Sequence, residues 1–298
     1  MSDRPNLLRG LRAGRAQGES LMRRDALAGL RSSTPREDCA ERLREARVAA
    51  QRDRISDREW VATTVRGILG TMDDAAIVSE AEALLAEIVA RDERDFGPIT
   101  EAIRAGTFTP ADFSRALAER PANEHDAYAE RILGVAHPPR AAMEREAEMV
   151  HFVASRVADV LDLVPHLSPD DVVYDVGAGT GKVALLTAWL SEAKVCGVEL
   201  DPAYVRAAEH AREALGLDVT FVEADARALD YADLTVLYLY EPFRGAVMAE
   251  FLECIDVRRR GAPISVFSRY EVEDGLAGVP WLEWVETLPS GLRRFRSK

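Results

Sequence analysis

Asp175-Val176-Gly177-Ala178-Gly179-Thr180-Gly181 decides how this chain is read. The apolar run Val172-Val173-Tyr174 leads into it and Lys182-Val183-Ala184-Leu185-Leu186 leads away, so the glycines sit between a buried strand and a helix. Glycine turns the backbone tightly and lets a ligand approach the main chain, while the start of a helix offers free amide donors. A Walker A loop needs four residues between glycine and Gly-Lys, then Ser or Thr. Here three residues separate Gly177 from Gly181, and Val183 follows Lys182, so that reading fails. The dinucleotide fingerprint is G-x-G-x-x-G, whereas Gly177, Gly179 and Gly181 give G-x-G-x-G behind an acid.

Outward from this bend, strands and helices alternate. Lys194 to Val198, Val219 to Val222, Leu234 to Tyr240 and Ile264 to Phe267 read as strands, and 181–191, 202–215 and 245–256 as helices. Trp281 to Leu288 and Leu292 to Phe295, around Pro289-Ser290-Gly291, read as a closing hairpin. Such alternation builds a parallel sheet covered on both faces, to which the hairpin adds an antiparallel strand at the edge. Upstream, a long helix is expected from about 140 to 164, with Met149, Phe152, Val157, Val160 and Leu161 on its buried side. Everything before His137-Pro138-Pro139 reads helical. Thr34-Pro35-Arg36-Glu37, Ser56-Asp57-Arg58-Glu59 and Thr109-Pro110-Ala111-Asp112 open helices, 73–92 forms another and Asn123 to Leu133 a further one. The proline break predicts a helical domain of residues 1–140 and an α/β domain of residues 141–298.

Acids recur at the strand ends. Glu199, in Val198-Glu199-Leu200-Asp201-Pro202, stands where a carboxylate accepts both hydroxyls of a ribose, a device that NAD enzymes also use. Asp225, in Val222-Glu223-Ala224-Asp225-Ala226, follows the third strand and also reads as a loop or helix cap. Tyr238-Leu239-Tyr240-Glu241-Pro242-Phe243 ends the fourth. Glu241 can orient an amine or take its proton, or it can cap the following loop. Tyr240 and Phe243 can wall a cation or pack as core. Asp175, Glu199 and Asp225, three acids at three successive strand ends, line the crevice where open α/β sheets bind ligands.

As a set, these residues resemble the class I S-adenosylmethionine-dependent methyltransferases, whose acid-x-Gly-x-Gly-x-Gly signature Asp175–Gly181 matches at every position. The resemblance covers roughly residues 145–298. It implies a Rossmann-like α/β fold, a mostly parallel seven-stranded sheet with an antiparallel edge strand, preceded here by an all-α N-terminal domain. It implies S-adenosylmethionine as cofactor, which has no phosphate and carries a cationic sulfonium and an amino group. Asp175 would then accept from the ammonium, and Gly177, Ala178, Gly179, Thr180 and Gly181 would form the bend beneath it. Glu199 and Leu200 would hold the ribose, Asp225 the adenine amino group, and Ala226 would contribute a backbone amide. At the end of the fourth strand many N-methyltransferases place Asn or Asp before Pro-Pro-aromatic. Glu241 stands there instead, followed by one proline, which makes Glu241 and Tyr240 the candidate catalytic residues. The implied reaction is in-line transfer of a methyl group to a nitrogen or oxygen of a small molecule or protein side chain, with positioning as the main catalytic effect. The leading long helix and Gly197-Val198-Glu199-Leu200 are also similar to the non-SET histone lysine methyltransferases and their bacterial relatives. The Asn-rich motif those carry after strand four is not reproduced, so lysine specificity is not carried over. Two other readings stay open: a cofactor-binding regulator without catalysis, and an NAD-linked oxidoreductase, against which the glycine spacing and the lack of a Tyr-x-x-x-Lys stand.

Composition narrows the partners. The 298 residues are 47% hydrophobic and 30% charged, with a net charge of −13, and the acidity is concentrated after residue 140. Such a chain is a poor binder of a bare phosphate backbone, so nucleic acid is not the expected partner. The one reservation is the first 60 residues, with 14 Arg against 10 acids. No apolar run approaches the roughly 18 residues of a membrane helix, and no secretory signal opens the chain. Cys39, Cys196 and Cys254 lie far apart without a C-x-x-C pair, which points to a reducing compartment, the cytoplasm by default. The five histidines show no metal-ligand spacing, and His151 reads as a core or lid residue. No metal is expected.

Overall fold

The computed structural model describes residues 35–52, 54–138, 155–269, 276 and 278–298. Helices come first: α1 (Pro35–Ala50), α2 (Ile55–Leu69), α3 (Ala75–Arg104), α4 (Pro110–Ala118) and α5 (His125–Ile132). After α6 (Val157–Leu163) the chain alternates: β1 (Val172–Val176), α7 (Lys182–Leu190), β2 (Lys194–Glu199), α8 (Pro202–Leu215), β3 (Thr220–Glu223), β4 (Val236–Tyr240), α9 (Gly245–Arg258) and β5 (Ser265–Arg269). The hairpin strands β6 (Leu282–Thr287) and β7 (Arg293–Ser297) close the order.

The chain divides into two compact units. The first takes in the described residues up to Arg52 together with Trp60–Ala86, and the second comprises Arg54–Glu59 and the described residues from Glu87 onward. In the first, Leu43, Ala46, Val61, Val65, Ile68, Ala81 and Leu84 are buried, and Arg36–Asp74 and Arg47–Glu80 ion pairs lie at the surface. Exposed pairs of that kind contribute little, so burial carries the unit.

In the second unit the sheet runs in the order β3-β2-β1-β4-β5-β7-β6. The first five strands are parallel, and β7 lies antiparallel between β5 and β6. One face packs under α6, α7 and α8 through Val160, Leu163, Leu185, Leu186, Ala208 and Leu215. Phe113, Tyr128, Ile132 and Leu133 from the preceding helices join that same core, so residues 87–133 are built into the layer over the sheet. The other face, through Tyr174, Val176, Leu237, Leu239 and Val266, packs on Phe251, Leu252 and Ile255 of α9. Helix α7 is buried along Lys182–Thr187, which explains its almost uniformly apolar sequence. Strand order reverses between β1 and β4, so the crevice at their carboxyl ends is the site this topology offers to a ligand.

Two helices differ from the sequence reading. The third runs on to Arg104 rather than stopping at 92, and it continues through Pro98. Proline cannot donate to the Arg94 carbonyl. Burial of Phe96 and Ile103 on either side of Pro98, and the Thr100 hydroxyl donating to Ile132 O at 2.8 Å, hold the helix together across that gap. The helix expected over 140–164 lies partly outside the described residues, His151 with it. Its described end starts afresh at Val157, because Arg156 is extended (φ −110°, ψ 136°). The Asp126 carboxylate accepts the Val157 amide at 2.7 Å and supplies the cap from 31 residues away.

Candidate functional site

The bend after β1 is shaped by close contacts. Gly177, Gly179 and Gly181 have φ of 78°, 56° and 80°, a region that costs other residues about 1–2 kcal/mol. Space is equally restrictive: a Cβ on Gly177 would lie 2.7 Å from Pro242 Cβ, and one on Gly181 would lie 2.6 Å from Phe221 Cζ. Val198 O accepts the amides of Gly177 and Ala178 at 2.8 and 3.0 Å, which pins the bend to the end of β2.

Around this bend lies a cleft of about 980 Å³, counting its open mouth. Of the sequence-predicted cofactor residues, Asp175, Gly177, Ala178, Gly179, Thr180, Glu199, Leu200, Asp225 and Ala226 line it, and so do Tyr240 and Glu241. Gly181 does not. It ends the bend as the residue before α7, and its place is set by Phe221 and Ala208. Phe243, read as a cation wall or core, is buried and lines the cleft, and among the further lining residues Ser155, Lys182, Tyr204 and Tyr238 were not singled out as binding groups from the sequence. Tyr238 was legible, since a period of two puts it on the same face as Tyr240, and it pairs in register with Asp175. Nothing local marks Ser155.

The four carboxylates are in four different situations. Asp175 is 3% exposed, and its Oδ2 has no hydrogen-bond partner. Burial pushes its carboxyl from the ordinary 3.8 up to about 7, with the Glu199 charge adding to the effect and the Ala184 amide opposing it. Glu199 is already tied into the backbone: Oε2 accepts the Gly179 amide at 2.9 Å, and Oε1 those of Leu200 and Asp201 at 2.8 and 2.9 Å. A carboxylate has about four lone-pair positions, so Glu199 keeps acceptor capacity while fixing the two loops. Asp225 caps the 3₁₀ turn Ala226–Ala228 and pairs with Arg227, Nη2 to Oδ2 at 2.8 Å, which holds its carboxyl below the usual range. Glu241 has the left-handed backbone at φ 49°, and its largely buried carboxylate pairs with Arg244. Such backbone in a residue other than glycine costs on the order of 1–3 kcal/mol and clusters at functional sites.

Tyr238 completes the deep wall, fully buried and with its hydroxyl unpartnered. Its phenol is pushed well up, first by burial and then by the charges of Asp159 and Asp175. A buried carboxylate oxygen and a buried hydroxyl left without partners are costly unless a ligand satisfies them. The cleft therefore presents four carboxylates and, among the described lining residues, one cation, Lys182. Such a lining suits an ammonium or a sulfonium better than a diphosphate. The donor set fits S-adenosylmethionine.

Comparison with known proteins gives a family match to part of the chain. Residues 173–254 match the family model described as a methyltransferase domain. No curated protein matches the chain. Among solved structures, an RNA methyltransferase from Salinibacter ruber in complex with S-adenosyl-L-homocysteine is similar at 25% identity, over 47% of this chain and 88% of that one, with a TM-score of 0.36. The putative methyltransferase yhhF from Escherichia coli is similar at 20% identity, over 48% and 88%, with a TM-score of 0.41. A methyltransferase from Geobacter sulfurreducens is similar at 17% identity, over 49% and 82%, with a TM-score of 0.39. Residues 173–254 therefore carry the match to a methyltransferase domain, and the charges of the cleft suit S-adenosylmethionine.

Proposed function

We propose that the chain transfers a methyl group to a nitrogen or oxygen of a small molecule or a protein side chain, by direct in-line displacement. S-adenosylmethionine supplies the methyl group already attached to a good leaving group, so the protein has to position two reactants and keep competing water out. Asp175, Glu199, Asp225 and the Gly177–Thr180 bend hold the cofactor in this reading. Glu241 and Tyr240 stand at the end of β4 in the same cleft and act on the acceptor. The Glu241 carboxylate accepts a hydrogen bond from the acceptor N–H or O–H, aims its lone pair at the methyl group and takes the proton as the bond forms. Tyr240, which lines the same cleft, stands beside the acceptor in this reading. The helices of residues 1–140 serve as a platform or lid for the acceptor.

The observation that carries this reading is the left-handed backbone of Glu241, a largely buried acid that lines the cleft. Incubating the protein with methyl-labelled cofactor and a cell extract tests it. Label is expected on a small molecule or protein, and Glu241→Gln is expected to lower the transfer rate while leaving S-adenosylhomocysteine affinity within about twofold. Transfer unchanged in Glu241→Gln would remove the acid from the mechanism. No transfer to any component would turn the assignment toward a cofactor-binding regulator.

A further inference from the structure

The first residue of α7, Lys182, follows the glycine bend directly and lines the cleft, yet its side chain is only 3% exposed. Burying an ammonium is costly unless acids compensate it. Two do, and both come from α5: Glu130 Oε1 lies 2.8 Å from Nζ and Asp126 Oδ1 lies 3.4 Å away. Glu130 is in turn bound by His137 Nε2 at 3.2 Å, and Asp126 also caps α6. Burial alone would raise the Glu130 carboxyl, but His137 and Lys182 bring it down to about 2, so the acid stays ionised opposite the lysine.

An ammonium has three donors, and the two acids use two. The cofactor read into this cleft ends in an amino acid, with a carboxylate beside its ammonium. Asp175 answers the ammonium. A carboxylate entering the same cleft meets Asp175, Glu199, Asp225 and Glu241, and the one described lining residue of opposite charge is Lys182.

Resting on the cofactor assignment above, we propose that Lys182 binds the cofactor carboxylate, and that Glu130 and Asp126 are positioning residues that hold its ammonium in place. Helix α5 thereby becomes part of the cofactor site. The part of the chain before the sheet then does more than cover the acceptor.

Calorimetric titration of the full chain separates the possibilities, using S-adenosylhomocysteine and the same thioether without its carboxylate, the aminopropyl thioether of adenosine. Wild type is expected to bind the first about tenfold or more tighter than the second, as for a charge-assisted hydrogen bond. Lys182→Met should narrow that ratio to about twofold by weakening the carboxylate-bearing ligand alone, and Lys182→Arg should restore most of it. Glu130→Gln should reduce the ratio partway. If Lys182→Met does not fold because Glu130 is left buried without its lysine, the double variant Lys182→Met/Glu130→Gln removes both charges and takes its place. Equal binding of the two ligands by wild type, or equal weakening of both by the lysine variant, would overturn the proposal. Failure of wild type to bind either nucleoside would instead remove the cofactor assignment on which it rests.

Discussion

Asp175 sets a pH dependence that can be calculated from its environment. In the cofactor-free protein its carboxyl sits at about 7 rather than 3.8, chiefly because burial disfavours the charged form. A raised acid of this kind favours the fold fully below its unfolded value. That contribution is lost as pH rises through about 7, where the buried oxygen becomes charged and stays unpartnered. An ammonium delivered by the ligand pairs with that charge, so binding requires the ionised acid. At pH 6 about one-tenth of Asp175 is ionised, and at pH 5 about one-hundredth. Affinity for S-adenosylhomocysteine should therefore fall about tenfold at pH 6 and about a hundredfold at pH 5, relative to its plateau above pH 8. Calorimetry in buffers of different ionisation enthalpy should also detect nearly one proton released per ligand bound at pH 6. In Asp175→Asn, affinity should be lower at pH 8, and both the pH slope and the proton release should disappear. A flat wild-type profile between pH 5 and 8, or the same slope in Asp175→Asn, would refute the reasoning.

Three further expectations concern the rest of the site. Glu199→Ala and Asp225→Ala should each weaken S-adenosylhomocysteine binding by roughly 1–3 kcal/mol, and near-unchanged affinity in both would empty the site of its assigned partners. Gly181→Ala places a Cβ 2.6 Å from Phe221 and 2.8 Å from Ala208 on backbone at φ 80°. It should cost about 2–4 kcal/mol, read as a lower midpoint in thermal or denaturant unfolding, and a midpoint equal to wild type would show that the bend relaxes freely. Glu241→Asn keeps a residue tolerant of left-handed backbone, so the unfolding midpoint should stay close to wild type while the methyl-transfer rate falls. A proportional loss of both would assign Glu241 to stability alone.

The sheet was legible because its central strands are short buried apolar runs closed by turns, whereas the strand order is seen only in the fold. The cleft was legible because acids and glycines recur at the carboxyl ends of the strands, where an open α/β sheet leaves a crevice. What the sequence hides is paired over long distances. Asp126 caps a helix that starts 31 residues later, Glu130 holds a lysine 52 residues on, and neither residue carries a local signature. The run of α3 through Pro98 is decided by burial of Phe96 and Ile103 against the propensity of Gly97-Pro98. Likewise Asp225, read as a base-binding acid or a cap, has its cap and its Arg227 pair in the fold while still lining the cleft, so the two readings are not exclusive.

A crystal structure of the protein grown with S-adenosylhomocysteine tests the central assignment most directly. The account predicts density for the nucleoside thioether over the Asp175–Gly181 bend, its amino group at Asp175 and its base toward Asp225. A cleft closed to the ligand, or one filled instead by a diphosphate-bearing compound, would contradict it.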